Sequence, residues 1–177
     1  MFGITAFGMF HTVLGLIAVA AGFVAIARHH EIAMASRSGR LYVWMTVATC
    51  ITGFFIFHHG GFGKPHALGI VTLLVLAVAC LAERRKPFGR FSHYVAAIGY
   101  TLTLFFHMIP GFTETLTRLP EGRPWASGPD DPQLAQLIGG VFVAYLGLMV
   151  WQGLRIRRER RRSQVVHDIA SADHAGG

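Results

Sequence analysis

The sequence predicts an all-α fold, an integral membrane bundle of five transmembrane helices, on three observations. The chain has 177 residues, 53% of them hydrophobic and 14% charged, with a mean hydropathy of +0.47; a soluble domain carries about 25% charged residues. The charges are collected in short blocks that separate apolar runs of roughly 20 residues, the length that crosses a hydrocarbon core of about 30 Å. The blocks of Lys and Arg fall at every second boundary between runs, as the positive-inside rule requires of a multi-pass protein. Helices are expected because lipid satisfies no open backbone, and a barrel would need alternating ten-residue segments.

Span one is expected at Ile4–Arg28. The N-terminus MFGITAFGMFHTVLG has no basic leader and no small-residue cleavage site, so it reads as a retained span and not a signal peptide. Gly8, Gly15 and Gly22 recur every seven residues, with Ala18 and Ala25 beside them. This small-residue face admits another helix or a flat cofactor. Span two is expected at Leu41–Phe57. Span three is expected at Pro65–Ala82, with Pro65 in the first turn, where a missing N–H costs nothing. Span four is expected at Phe91–Ile109, stopped by Pro110-Gly111. Span five is expected at Leu134–Leu154, rich in glycine (Gly139, Gly140, Gly147, Gly153), a face suited to packing or to a partner. Residues 1–157 thus form the membrane domain. Residues 158–177 form a basic and then disordered tail, its arginines suited to anionic headgroups. The loop at 110–133 is acidic, Pro-rich and long enough either to connect or to cover the outer mouth.

Orientation follows from the basic residues. Arg28, Arg37 and Arg40 follow span one; Arg84, Arg85, Lys86 and Arg90 follow span three; Arg155, Arg157, Arg158 and Arg160–Arg162 follow span five. Only Lys64, Arg118 and Arg123 lie on the other side. The N-terminus is therefore expected outside and the C-terminus inside, with Trp44 and Trp151 near the inner boundary. The formal charge of +7 does not indicate nucleic acid, because the basic residues form no stripe interleaved with exposed aromatics. Cys50 and Cys80 lie in separate spans, which gives neither a disulfide framework nor a zinc motif.

All nine acidic residues fall outside these spans, which argues against a proton-coupled transporter, since that class uses a carboxylate at depth. Histidine is left as the ligating and titratable side chain of the membrane region. His11, His58, His59, His66 and His107 fall toward the outer face, and His29, His30 and His93 toward the inner. His93 and His107 are fourteen residues apart, about 21 Å along one face of a helix. His11 and His29 are eighteen apart, about 27 Å, on the glycine face of span one. Imidazoles from different helices at matched depths are what a haem with two axial histidines requires. The cofactor-binding candidates are therefore His11, His29, His30, His66, His93 and His107. They pair as His93 with His29 or His30 in an inner layer, and as His107 with His66 or His11 in an outer one. One or two haem b groups are expected, in a membrane electron-transfer protein working with quinol or a redox partner. Two other readings stand beside it. His11, His66, His93 and His107, with His58 and His59 as lesser candidates, can bind zinc or copper. Alternatively the chain is a non-catalytic accessory subunit of a membrane complex, or a homo-oligomer, with its glycine faces as contacts.

The helix carrying His93 and His107 resembles those of the transmembrane b-type cytochromes, in which paired histidines near both surfaces of a bundle hold two haems. Separately, His11-x3-Gly15, His29-His30 before Gly39-Arg40-Leu41-Tyr42, Pro65-His66 opening an apolar helix, and a basic loop before His93 resemble a bacterial multi-pass membrane family of unknown function. This likeness covers roughly residues 5–110 and departs after His93, where Val95, Ala96 and Ala97 stand in place of a Met. The resemblance implies a bacterial inner (plasma) membrane protein and weight on His11, His66 and His93. It implies no reaction. Covalent c-type haem is excluded, since no Cys-x-x-Cys-His is present.

Overall fold

The computed structural model describes residues 5–56 and 62–175, with residues 167–175 described by backbone alone. His58 and His59 lie outside the described residues. Among the described residues five α-helices follow one another: α1 (Ala6–His29), α2 (Arg37–Gly53), α3 (Lys64–Arg85), α4 (Ser92–Leu116) and α5 (Pro132–Ala175), with a 3-10 turn at Gly89–Phe91 before α4. No strand occurs among the described residues. Helices α1, α3, α4 and α5 are long and apolar enough to cross a membrane, whereas α2 has 17 residues and begins with Arg37 and Arg40. Their outward faces carry large apolar side chains open to the surroundings, among them Leu16, Leu74 and Val143, each more than 60% exposed. Water disfavours so continuous an apolar surface, and lipid suits it.

Local chemistry sets most helix ends. Thr5 caps α1 by accepting from the Gly8 amide at 3.1 Å. His30 ends it in the left-handed conformation, its N–H returned to the Ile26 carbonyl. Ser36 caps α2 by accepting from the Gly39 amide at 3.0 Å. Pro65 occupies the first turn of α3, and the His66 ring closes that turn by accepting from the Gly63 amide through Nδ1 at 3.2 Å. Asp131 opens α5, accepting from the Gln133 amide and from the amide and hydroxyl of Ser127, each at 2.8 Å. The Ser127 amide foremost holds the Asp131 carboxyl below the ordinary carboxylate range.

Three boundaries differ from expectation. Helix α4 continues through Pro110 to Leu116: a proline forfeits a single ladder bond, and a membrane bundle tolerates that loss. Helix α5 continues past Leu154 to Ala175, through the stretch expected as a disordered tail. Its Arg, Glu, Gln and Ala residues favour the helix, and Arg155 pairs with Glu159 one turn on at 2.8 Å. Helix α3 runs to Arg85, which brings Glu83 into its last turn.

The helices pack as two hairpins, α1 with α2 and α3 with α4, joined where α2 meets α3 and α1 meets α4; α5 lies against α4. The core is Ala18, Ala21 and Ala25 of α1, Tyr42 and Val43 of α2, Leu76, Ala79 and Ala82 of α3, and Ala96, Tyr100 and Leu104 of α4. The small-residue face of α1 admits a helix and no macrocycle at this depth: a Cβ on Gly22 would meet Leu104 and Tyr42, each at 3.0 Å. Gly139, Gly140, Gly147 and Gly153 of α5 face nothing within 4 Å among the described residues.

One end of the bundle is tied together by long-range bonds. Glu83, at the end of α3, accepts from the Met34 and Ala35 amides that follow α1. His93, at the start of α4, bonds Glu31. Gln152 of α5 donates to the His30 carbonyl at 3.1 Å and accepts from Thr101 at 3.0 Å, and Arg155 donates to the His29 carbonyl. The ends of α1 and α3, the starts of α2 and α4 and the middle of α5 around Gln152–Arg155 therefore share one level. Helix α2 must run back the length of the bundle to reach α3.

Candidate functional site

Polar side chains are few inside this bundle, and several of them form a line between α2 and α4. Tyr42 and Thr46, one turn apart on α2, face Thr103 and His107, one turn apart on α4. The Tyr42 hydroxyl meets Thr103 Oγ1 at 2.7 Å, and Thr46 Oγ1 meets His107 Nε2 at 3.1 Å. Matched steps of four on both elements mean that the two helices run in the same direction. The Tyr42 ring also stands edge-on to the His107 ring, centroids 6.2 Å apart. Farther out, Thr52 of α2 meets His11 Nδ1 at 2.9 Å. The Thr52 hydroxyl proton is directed to the Ala48 and Thr49 carbonyls, so its oxygen accepts and His11 carries its proton on Nδ1. The His11 ring rests on Gly53, where a Cβ would stand 3.2 Å from Cε1.

Toward the tied end the line passes Tyr100, fully buried. Its carbonyl accepts from Thr103 at 2.8 Å and from Tyr42 at 3.4 Å, and its hydroxyl donates to Glu83 at 2.7 Å. Tyr100 thus joins the hydroxyls of the mid-bundle to a carboxylate. Glu83 and Tyr100 line a cavity of about 590 Å³ that opens at the tied end, together with the His93–Glu31 pair (2.7 Å) and the cations Lys86, Arg90 and Arg160.

The expected histidine layers fare unequally. His93 is engaged by Glu31, while His29 and His30 are exposed at the surface and the His30 ring packs edge-on against Trp151 of α5. The inner pairing of His93 with His29 or His30 is therefore not built; a nearer carboxylate takes the imidazole. His66 is buried at the opening of α3, where its ring closes the first turn and lies 5.3 Å from that of Phe62. His11 and His107 both meet threonines of α2, but they are staggered. On α2 as a ruler their partners, Thr52 and Thr46, are six residues apart, about 9 Å. A metal–imidazole bond is about 2 Å, so two axial nitrogens on one iron stand about 4 Å apart. The haem expected between His107 and His11 does not fit this arrangement. Depths set from separate spans do not contain this: His11 leans away from the tied end along α1, whereas His107 leans toward it along α4. Among the described residues no three of His, Cys, Asp and Glu converge as a metal site.

Glu83, Tyr100, Tyr42 and the threonines were missed by sequence reasoning. Two signals were present. Thr46, Thr49 and Thr52 follow Tyr42 at helical spacing, and Glu83 adjoins an apolar run that the helix simply extends. Comparison with protein families, curated proteins and solved structures finds no match.

Proposed function

We propose that this chain is a five-span protein of a bacterial plasma membrane, N-terminus outside and C-terminus inside, that transfers protons along the line from His11 and His107 to Glu83. The observation that carries this reading is the stagger. Imidazoles, hydroxyls and a carboxylate stand at successive depths as the hydrogen-bonded pairs His11–Thr52, His107–Thr46, Tyr42–Thr103 and Tyr100–Glu83, which intervening water would join into a relay. The topology is supported by the tied end, which gathers one terminus of each of α1 to α4 and the Gln152–Arg155 turn of α5 together with every basic block expected inside. His107 exchanges its proton with the Thr46 hydroxyl, and Tyr42 and Thr103 continue the line to the Tyr100 carbonyl. The Tyr100 carbonyl orients the Thr103 hydroxyl and carries no proton itself, so water is the carrier past the Tyr100 ring to the Glu83 carboxylate, which faces the cavity that Tyr100 also lines. The His93–Glu31 pair at the cavity wall is an acceptor in contact with the inner aqueous side.

The test is proton flux into liposomes containing the purified protein, read by an entrapped pH-sensitive dye under an imposed potassium potential. His107→Ala should lower the flux about tenfold or more, whereas Gln133→Ala, remote from the line, should leave it unchanged. Equal flux in wild type, His107→Ala and empty liposomes overturns the proposal.

A second reading is favoured by His11 alone. With Nδ1 fixed by Thr52, its Nε2 is left in the posture of a metal ligand. A haem, zinc or copper at the outer end would then be held by His11 with histidines other than His107. Elemental analysis of purified protein tests it: bound metal lost in His11→Ala supports this reading, and metal-free protein refutes it.

A further inference from the structure

Two arginines at the inner end lie over aromatic rings that close one end of a groove. The Arg90 guanidinium is 4.9 Å from the centroid of Phe91, and that of Arg160 is 5.2 Å from that of Tyr94. The two rings are neighbours, 6.5 Å apart. They form the inner end of an apolar groove of about 500 Å³ between α3 and α4, walled by Leu74, Val78 and Ile98. Its floor is Gly99, where α4 comes so close to α3 that a Cβ would stand 3.0 Å from that of Ala79. Small residues at the crossing leave the trough open between larger side chains.

We infer that this groove and its two arginines bind an anionic phospholipid, one acyl chain in the trough and the phosphate between Arg90 and Arg160. The level is right: Arg90 precedes α4 and Arg160 follows the apolar part of α5, where the spans meet the headgroup layer. The charge is right as well. Neither arginine makes an ion pair among the described residues, nor does Lys86, which shares the adjacent cavity with them. The nearby carboxylates are already engaged, Glu31 by His93 and Glu83 by Tyr100 and two amides. The cations thus lack a counter-charge that a phosphodiester supplies, and guanidinium suits phosphate through paired N–H donors. A choline headgroup would bring its own cation to three others. Docking on the Phe91 and Tyr94 faces also preorganises the two guanidiniums.

Native mass spectrometry of the full chain in detergent tests this, with phosphatidylglycerol, phosphatidylcholine or inorganic phosphate added in turn. Wild type should retain one phosphatidylglycerol, and phosphatidylcholine at least about tenfold less. Arg90→Gln with Arg160→Gln should lose that adduct, and Val78→Trp, which fills the trough and keeps both arginines, should lose it too. Arg157→Gln with Arg158→Gln, two exposed arginines away from the groove, should retain it. Equal loss in the Arg157/Arg158 variant, equal binding of phosphatidylcholine, retention in Val78→Trp, or displacement of the lipid by inorganic phosphate overturns the proposal. Circular dichroism of each variant separates lost binding from lost helix.

Discussion

Gly39→Ala should destabilise the protein by about 3 kcal/mol or more, a fall in Tm of roughly 10 °C. A Cβ at this position would stand 1.9 Å from the Ala33 carbonyl oxygen, 2.7 Å from its carbon and 2.9 Å from its nitrogen. All three are backbone atoms of the turn that carries the chain from α1 to α2, so no rotamer change relieves the clash. The same turn is held by Ser36, whose hydroxyl donates to the Ala33 carbonyl at 3.0 Å and accepts from the Gly39 amide. Moving the turn would also pull Met34 and Ala35 away from Glu83. Thermal unfolding followed by circular dichroism in detergent is the measurement. Arg40→Ala, one residue on and exposed, is the control and should shift Tm little. A Gly39→Ala protein as stable as wild type would mean that the first hairpin is not closed in this way.

Glu83→Ala is the second large effect, at about 2–4 kcal/mol. One carboxylate accepts from the Met34 amide at 3.0 Å, the Ala35 amide at 3.1 Å and the Tyr100 hydroxyl at 2.7 Å. Removing it leaves three donors without their acceptor, one of them on a fully buried tyrosine, and an unmade bond costs more than a made one contributes. Glu83→Gln keeps one accepting oxygen and turns an amide NH2 toward donors, so its loss should be smaller but real. The pair of variants separates structure from transfer. Glu83→Gln should retain most of the fold and still lose most of the liposome flux, because an amide does not accept and release a proton. A Glu83→Gln protein that conducts like wild type would remove the carboxylate from the line.

How much of this was legible beforehand depended on the scale of the signal. Apolar runs and basic blocks are averages over many residues, and they placed the helices and gathered the basic blocks at the end that Glu83, Gln152 and Arg155 tie together. Helix ends depend on single contacts. Pro110 marked a stop because a soluble helix breaks there, and it does not break here. Contacts between helices depend on azimuth and on the direction each side chain leans, which spacing along one helix does not contain. His93 was matched with the neighbouring histidines when the decisive residue, Glu31, stood one position beyond them. Glu83 falls outside the apolar run, which ends at Ala82, and only the continued helix brings it into the bundle. The threonines are silent for a different reason: a threonine in a membrane helix ordinarily bonds its own backbone, as Thr72 does to the Leu68 carbonyl, and only the fold shows that Thr46 and Thr52 meet histidines.

The absorption spectrum of the protein, purified from haem-replete cells and recorded oxidised and then reduced, tests the stagger of His11 and His107 most directly. The threonines that His11 and His107 bond are about 9 Å apart along α2, too far for the two rings to share one iron while these bonds hold, so the account predicts no Soret band that depends on both residues. A Soret band abolished equally by His11→Ala and by His107→Ala would contradict it.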